Sequence, residues 1–161
     1  MAQGNRGIPP QPEVRREYPA APVVAVGAAV VREGKVLLVE RRNPPAAGRW
    51  SLPGGVVRLG ETLAGATRRE MREECGLEVE IGGLLEVVER MVPDEAGRIR
   101  YHYIIVDFWA HAPQGEARAS SDARAVRWVG EEELGELALT AGLEAVIRKA
   151  LALAAPGAKA S

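Results

Sequence analysis

The sequence predicts an α/β fold of the α+β kind, a mixed β-sheet covered by a helix on each face. Three observations carry this. Two apolar runs sit either side of a short turn within residues 23–41, and three more strand-like runs lie within 77–129. Two segments with helical spacing fall between and after them. A sheet interrupted by helices must bury both faces, since each helix has one apolar stripe to hide. The 161 residues suit one domain with a sizeable core, and no internal repeat is present.

Taken in order, residues 1–22 hold five prolines and little apolar periodicity, which predicts a flexible or extended arm. "VVAVGAAVV" (23–31) and "KVLLVER" (35–41) flank Arg32-Glu33-Gly34, a hairpin signal. "RNPPAAGRWSLPGG" (42–55) is too rich in Pro and Gly to read as regular structure. A helix is expected from about Thr62 to Cys75, ending at Gly76, a natural C-terminal cap. Strands follow at 77–92 and 98–111 around the turn "PDEAG", with a short one at 125–129. "EEELGEL" reads as a helical turn. Residues 140–154 read as a helix with Leu143, Val146, Ile147, Ala150 and Leu151 on its apolar side. The domain is thus expected over 23–154, with 155–161 as a tail.

Twenty-one basic against 22 acidic side chains leave no global field to draw nucleic acid or an anionic membrane. No stretch is long and apolar enough for a membrane span, and the N-terminus lacks a signal-peptide core. One cysteine, Cys75, excludes an intramolecular disulfide and fits a reducing compartment. A cytoplasmic protein with no membrane or stable nucleic-acid partner is the expectation.

The stretch "RREMREECG" (68–76) carries the densest charge. On a helix, Glu70, Glu73 and Glu74 fall within about 100° of arc, with Ala64, Thr67, Met71 and Cys75 on a neighbouring, core-facing side. Clustered carboxylates repel, and a hard divalent cation would offset that. On spacing alone, a solvated face laced with ion pairs is the favoured reading. The preceding "LPGGVVRLGET" puts Gly54, Gly55 and Gly60 in a loop feeding that helix, where glycine lets backbone approach a ligand.

Read as one unit, the segment runs Gly55, five residues, Glu61, seven residues, Arg69-Glu70-Met71, one residue, Glu73-Glu74, one residue, Gly76-Leu77. This resembles, at all nine defined positions of a 23-residue motif, the signature box of the Nudix hydrolases (MutT-like proteins). "RWSLPGG" before it and "VRWV" after it resemble the flanks of bacterial members, so the likeness spans about residues 22–152. It implies the Nudix fold, an α/β/α sandwich around a mixed sheet. It also implies Mg²⁺ or Mn²⁺, held by the Gly54 carbonyl, Glu70, Glu73 and Glu74. Arg69 would brace Glu70, and Glu61 would support the metal site. The family's reaction is hydrolysis of a nucleoside diphosphate linked to another group. For the base that takes the water's proton, Glu73 or Glu74 is the first choice, with Glu116 and Asp122 of a later loop as alternatives. Many relatives carry an acid where this chain has Arg58, which would add a positive group near the phosphates.

Among other residues, Gly55, Arg41, Arg42, Arg49 and Arg58 are candidates to meet a phosphate or ribose, against the plainer reading of solvated strand ends. Trp50, Trp109 and Trp128 could stack a base, but their apolar strand contexts favour core packing for at least two. His102 and His111 read as ordinary strand residues and Cys75 as inert packing. Pro93 lies sixteen residues beyond Leu77, where relatives that cleave ADP-ribose often carry proline, although proline also suits the start of a turn. The expected substrate is ADP-ribose, giving AMP and ribose 5-phosphate. The alternatives are a (deoxy)nucleoside triphosphate, a dinucleoside polyphosphate or capped RNA. A non-catalytic ligand-binding module is disfavoured by the retained carboxylates. Dimeric relatives make a homodimer one further expectation.

Overall fold

The computed structural model describes residues 13–120 and 122–157. The chain runs β1 (Val23–Arg32), β2 (Lys35–Arg41), β3 (Trp50–Ser51), β4 (Gly54–Val56), α1 (Leu63–Cys75), β5 (Glu80–Pro93), β6 (Ile99–His111) and β7 (Ala123–Val129). A 3₁₀ turn (Glu131–Glu136) and α2 (Leu143–Ala154) complete it.

Alternation along the two central strands builds the layers. Ala28, Val30, Leu37 and Val39 face Met71 and Cys75 of α1. Their neighbours Ala29, Val31, Val36 and Leu38 face Leu143, Val146, Ile147 and Ala150 of α2. Burial on both faces is why these strands read as unbroken apolar runs. The α/β/α expectation holds. On α1 the buried residues are Ala66, Thr67, Met71 and Cys75, so Ala66 takes the core position expected for Ala64. Thr62 caps the helix by accepting from the Gly65 amide at 3.0 Å, and Gly76 ends it in the left-handed region at φ 67°.

The seven-stranded sheet runs β3-β2-β1-β6-β5, with β4 on β1 and β7 on β2. β1 and β6 are parallel; every other pair is antiparallel. β1 and β2 pair only beside their turn, at Val31↔Val36 and Arg32↔Lys35, and then part. β4 fills the β1 side of the fork (Ala25↔Val56, Val26↔Gly55, Gly27↔Gly54) and β7 fills the β2 side.

Two of these strands lie in the stretch expected to be irregular. Composition misleads there because glycine serves a packing role. A Cβ on Gly54 would collide with the Val26 carbonyl, so only a bare backbone can pair this closely. Other boundaries move by a few residues. β5 starts at Glu80, since Leu77 and Val79 are buried in the core below α1 instead. β7 starts at Ala123, and α2 starts at Leu143, after Gly142 at φ 77°. Thr140 is held by the Trp50 carbonyl at 3.0 Å. Of the N-terminal arm, residues 1–12 lie outside the described residues. Tyr18 is tied to the β5–β6 hairpin, its amide to the Arg100 carbonyl (2.7 Å) and its hydroxyl to Asp94 (2.9 Å). No described helix is long and apolar enough to cross a membrane.

Candidate functional site

β4 and α1 meet at one end of a cleft. The cleft has a volume of ≈ 380 Å³ and runs from Gly54 and Gly55, across Gly27 of β1 and Asp107 of β6, to Thr140–Val146 ahead of and within α2. No α1 residue lines the cleft itself; two α1 carboxylates instead reach the glycines of β4 that do. Glu74 accepts the Gly54 amide at 2.7 Å. Glu70 lies directly against Gly55, where any Cβ would meet its carboxylate.

Arg69 gathers three of the glutamates around one guanidinium. Its Nε and Nη2 donate to Glu61 at 2.5 and 2.9 Å, and its Nη1 donates to Glu70 at 2.6 Å and Glu73 at 3.1 Å. Nη2 also donates to the Val56 carbonyl at 3.1 Å, which locks the arginine to β4. Glu61 receives the Arg58 amide as well, at 2.9 Å. Both Glu61 oxygens are therefore engaged, and its nearest work is to hold Arg69. The Arg69 bond keeps the Glu61 carboxyl at about 2, below the ordinary 4.5.

Glu74 sits in the opposite environment. Burial pushes it up to about 7, with Glu70 and Asp122 pushing the same way and the Gly54 amide and Arg41 opposing. A carboxyl held near neutrality beside a second carboxylate is an arrangement that a cation would relieve. Among the described residues no three acidic, His or Cys side chains already converge as a cation cage. Arg69 Nη1 bonds both Glu70 and Glu73 instead. The donor set, carboxylates and a peptide carbonyl, consists of the hard oxygens that Mg²⁺ and Mn²⁺ take, so the chemistry fits those ions.

The remaining expected residues divide. Arg41 lines the cleft and acts on Glu74. Arg58 reaches Glu73 at 3.6 Å. Arg42 is exposed, and Arg49 donates to the Leu139 carbonyl at 3.1 Å; neither lines the cleft. In the later loop, Ser120 and Arg118 hydrogen-bond by their amides to the carbonyls of Glu74 and Cys75. That brings Asp122 into electrostatic reach of Glu74, whereas Glu116 pairs with Arg118 at 3.5 Å.

All three tryptophans pack against the core and none lines the cleft; Arg32 lies over Trp128. His111 meets Trp109 edge-on, and His102 lies 4.0 Å from Glu89. Cys75 is fully buried, with its thiol pushed up to about 12. Pro93 ends β5 at a register shift leading into the turn that Asp94 caps, and lies outside the cleft. Cleft residues not singled out from sequence include Tyr103 and Asp107 of β6 and Glu86 and Arg90 of β5. Period-2 alternation along β6 puts Tyr103, Ile105 and Asp107 on one face, and that was the available signal.

Residues 21–152 match the NUDIX domain family. The chain is 36% identical over 117 residues to an ADP-ribose pyrophosphatase of Methanocaldococcus jannaschii, covering 73% of this chain and 67% of the relative. It is 41% identical over 115 residues to a "Putative 8-oxo-dGTP diphosphatase 2" of Mycobacterium tuberculosis, covering 71% and 77%. Among solved structures it resembles a MutT NUDIX hydrolase from Burkholderia pseudomallei, with a TM-score of 0.70 and 34% identity. That match covers 80% of this chain and 98% of the other.

Proposed function

The chain belongs to the Nudix family of hydrolases, which act on nucleotide-linked substrates, and from that premise we propose that it cleaves ADP-ribose to AMP and ribose 5-phosphate. The observation that carries a pyrophosphatase site is the Arg69 cluster. One guanidinium gathers Glu70 and Glu73 beside β4, whose glycines line one end of a cleft with room for a nucleoside. The choice of ADP-ribose is supported by the M. jannaschii relative.

Gly54, through its carbonyl, and Glu70, Glu73 and Glu74 would hold Mg²⁺ or Mn²⁺. The bound cation would neutralise the pyrophosphate charge and lower the pKa of the attacking water. Glu61 fixes Arg69, and Arg69 fixes Glu70 and Glu73. Arg41 faces the phosphates from the cleft wall. Of the four acids considered for the base, Glu74 touches β4 through the Gly54 amide, and it is the favoured acceptor of the water's proton. As water attacks phosphorus, its proton passes to that carboxylate and the far phosphate leaves with the bond electrons.

A second reading, hydrolysis of an oxidised deoxyguanosine triphosphate, draws on the higher identity to the M. tuberculosis relative. A panel of ADP-ribose, dGTP, 8-oxo-dGTP and diadenosine polyphosphates, run with Mg²⁺ and with chelator, separates them. ADP-ribose should show the highest kcat/KM, and chelation should abolish turnover. Selective turnover of either dGTP form refutes the substrate, and chelator-resistant activity refutes the metal site.

A further inference from the structure

Two guanidiniums line the cleft without a carboxylate to answer them: Arg41 at the end of β2, and Arg16 from the segment ahead of β1. Among the described residues neither makes an ion pair. Both act on Tyr103 of β6, which also lines the cleft: burial raises its hydroxyl pKa, and Arg16 and Arg41 oppose that rise. Tyr103 stands in register with Val23, whereas Gly54 pairs with Gly27 of the same strand. Four residues of strand, ~13 Å, therefore separate the level of Tyr103 from that of Gly54.

Arg16 lies in a segment without regular structure, and what fixes it is its neighbour Tyr18. The chain bends there, with Tyr18 in the left-handed region at φ 49°, uncommon for a side chain of this size. Its amide donates to the Arg100 carbonyl at 2.7 Å and its hydroxyl to Asp94 at 2.9 Å. Arg98 lies over its ring, 5.3 Å from the centroid, and Glu17 accepts from Arg100 at 2.7 Å. The segment is thus strapped to the β5–β6 hairpin, two residues from the guanidinium that enters the cleft. We propose that Arg16 is a substrate-binding residue, which with Arg41 takes the substrate phosphate further from the α1 carboxylates, and that Tyr18 is the positioning residue that holds it there. This deepens the proposed function and rests on it. Unpaired guanidiniums beside a phosphate form charge-assisted hydrogen bonds to its oxygens.

The test measures kcat and KM with Mg²⁺ on whichever substrate of the panel above wild type turns over fastest. Arg16→Ala should raise KM by ~5-fold or more while kcat stays within about twofold of wild type. Arg15 donates to the Glu17 carbonyl at 3.0 Å and does not line the cleft. Arg15→Ala makes the same change in net charge and should leave KM unchanged. Tyr18→Phe removes the bond to Asp94 and should raise KM by a smaller factor. Combined with Arg16→Ala it should add nothing, because it acts through Arg16. Equal KM shifts from Arg15→Ala and Arg16→Ala would overturn the assignment in favour of a general field. An unchanged KM in Arg16→Ala, or a fall in kcat alone, would overturn it and leave the hydrolase reading intact. Factors that multiply in the double variant would overturn the role of Tyr18. A wild type that turns over no substrate of the panel would overturn both readings.

Discussion

Glu61→Gln isolates the brace beneath the α1 carboxylates. Glu61 takes two hydrogen bonds from Arg69 and one from the Arg58 amide, and these hold its carboxyl at about 2 against an ordinary 4.5. Because the folded value lies below the unfolded one, the carboxylate stabilises the fold above about pH 4.5. That contribution disappears as pH falls towards 2. At roughly 1.4 kcal/mol per pH unit the full difference would be worth about 3 kcal/mol. Both side chains remain partly open to water, at 22% for Glu61 and 15% for Arg69. Solvent screening brings the expected loss to about 1–2 kcal/mol. Urea unfolding of wild type and Glu61→Gln with chelator, at pH 7.5 and at pH 3, reads this directly. The variant should be weaker by that amount at pH 7.5, and the gap should narrow markedly at pH 3. A gap of the same size at both pH values, or none at pH 7.5, would refute the reasoning.

Glu74 should respond with the opposite sign. Its folded value of about 7 exceeds 4.5, so the ionised form destabilises the fold increasingly as pH rises between those values. Glu74→Gln should therefore raise the chelated protein's thermal midpoint at pH 8, leave it unchanged near pH 4, and cut kcat by at least ~100-fold. A lowered midpoint at pH 8 would contradict the burial argument. Gly55→Ala would place a methyl against the Glu70 carboxylate and push it off the Arg69 bond that holds it. Thermal midpoint and kcat should both fall, and an unchanged kcat would show that the position of Glu70 is immaterial.

The sandwich was legible because β1 and β2 are buried on both sides, and α2 shows its apolar side at regular spacing. The site was legible for a different reason: the glycine loop and the α1 acids are contiguous in sequence. What stayed hidden depends on distant chain segments meeting. β3 and β4 form only because β1 and β2 part, which no local pattern announces. Glu61 was expected to support a metal site, whereas the fold brings both its oxygens into hydrogen bonds with Arg69. Asp107 was invisible among β6 residues until Gly27 of another strand was set beside it.

The fork between β1 and β2 has a mechanical consequence. The segment that carries Gly54, whose carbonyl would hold the cation, is laddered into the sheet, from the Ala28 amide on the Pro53 carbonyl to the Val57 amide on the Val24 carbonyl, each at 3.0 Å. It cannot lift away as a flap without unzipping the central strand. Amide exchange at Gly55 and Val56 should then track opening of the sheet itself rather than loop breathing. The glycines supply closeness of approach without the slackness that glycine-rich loops usually carry.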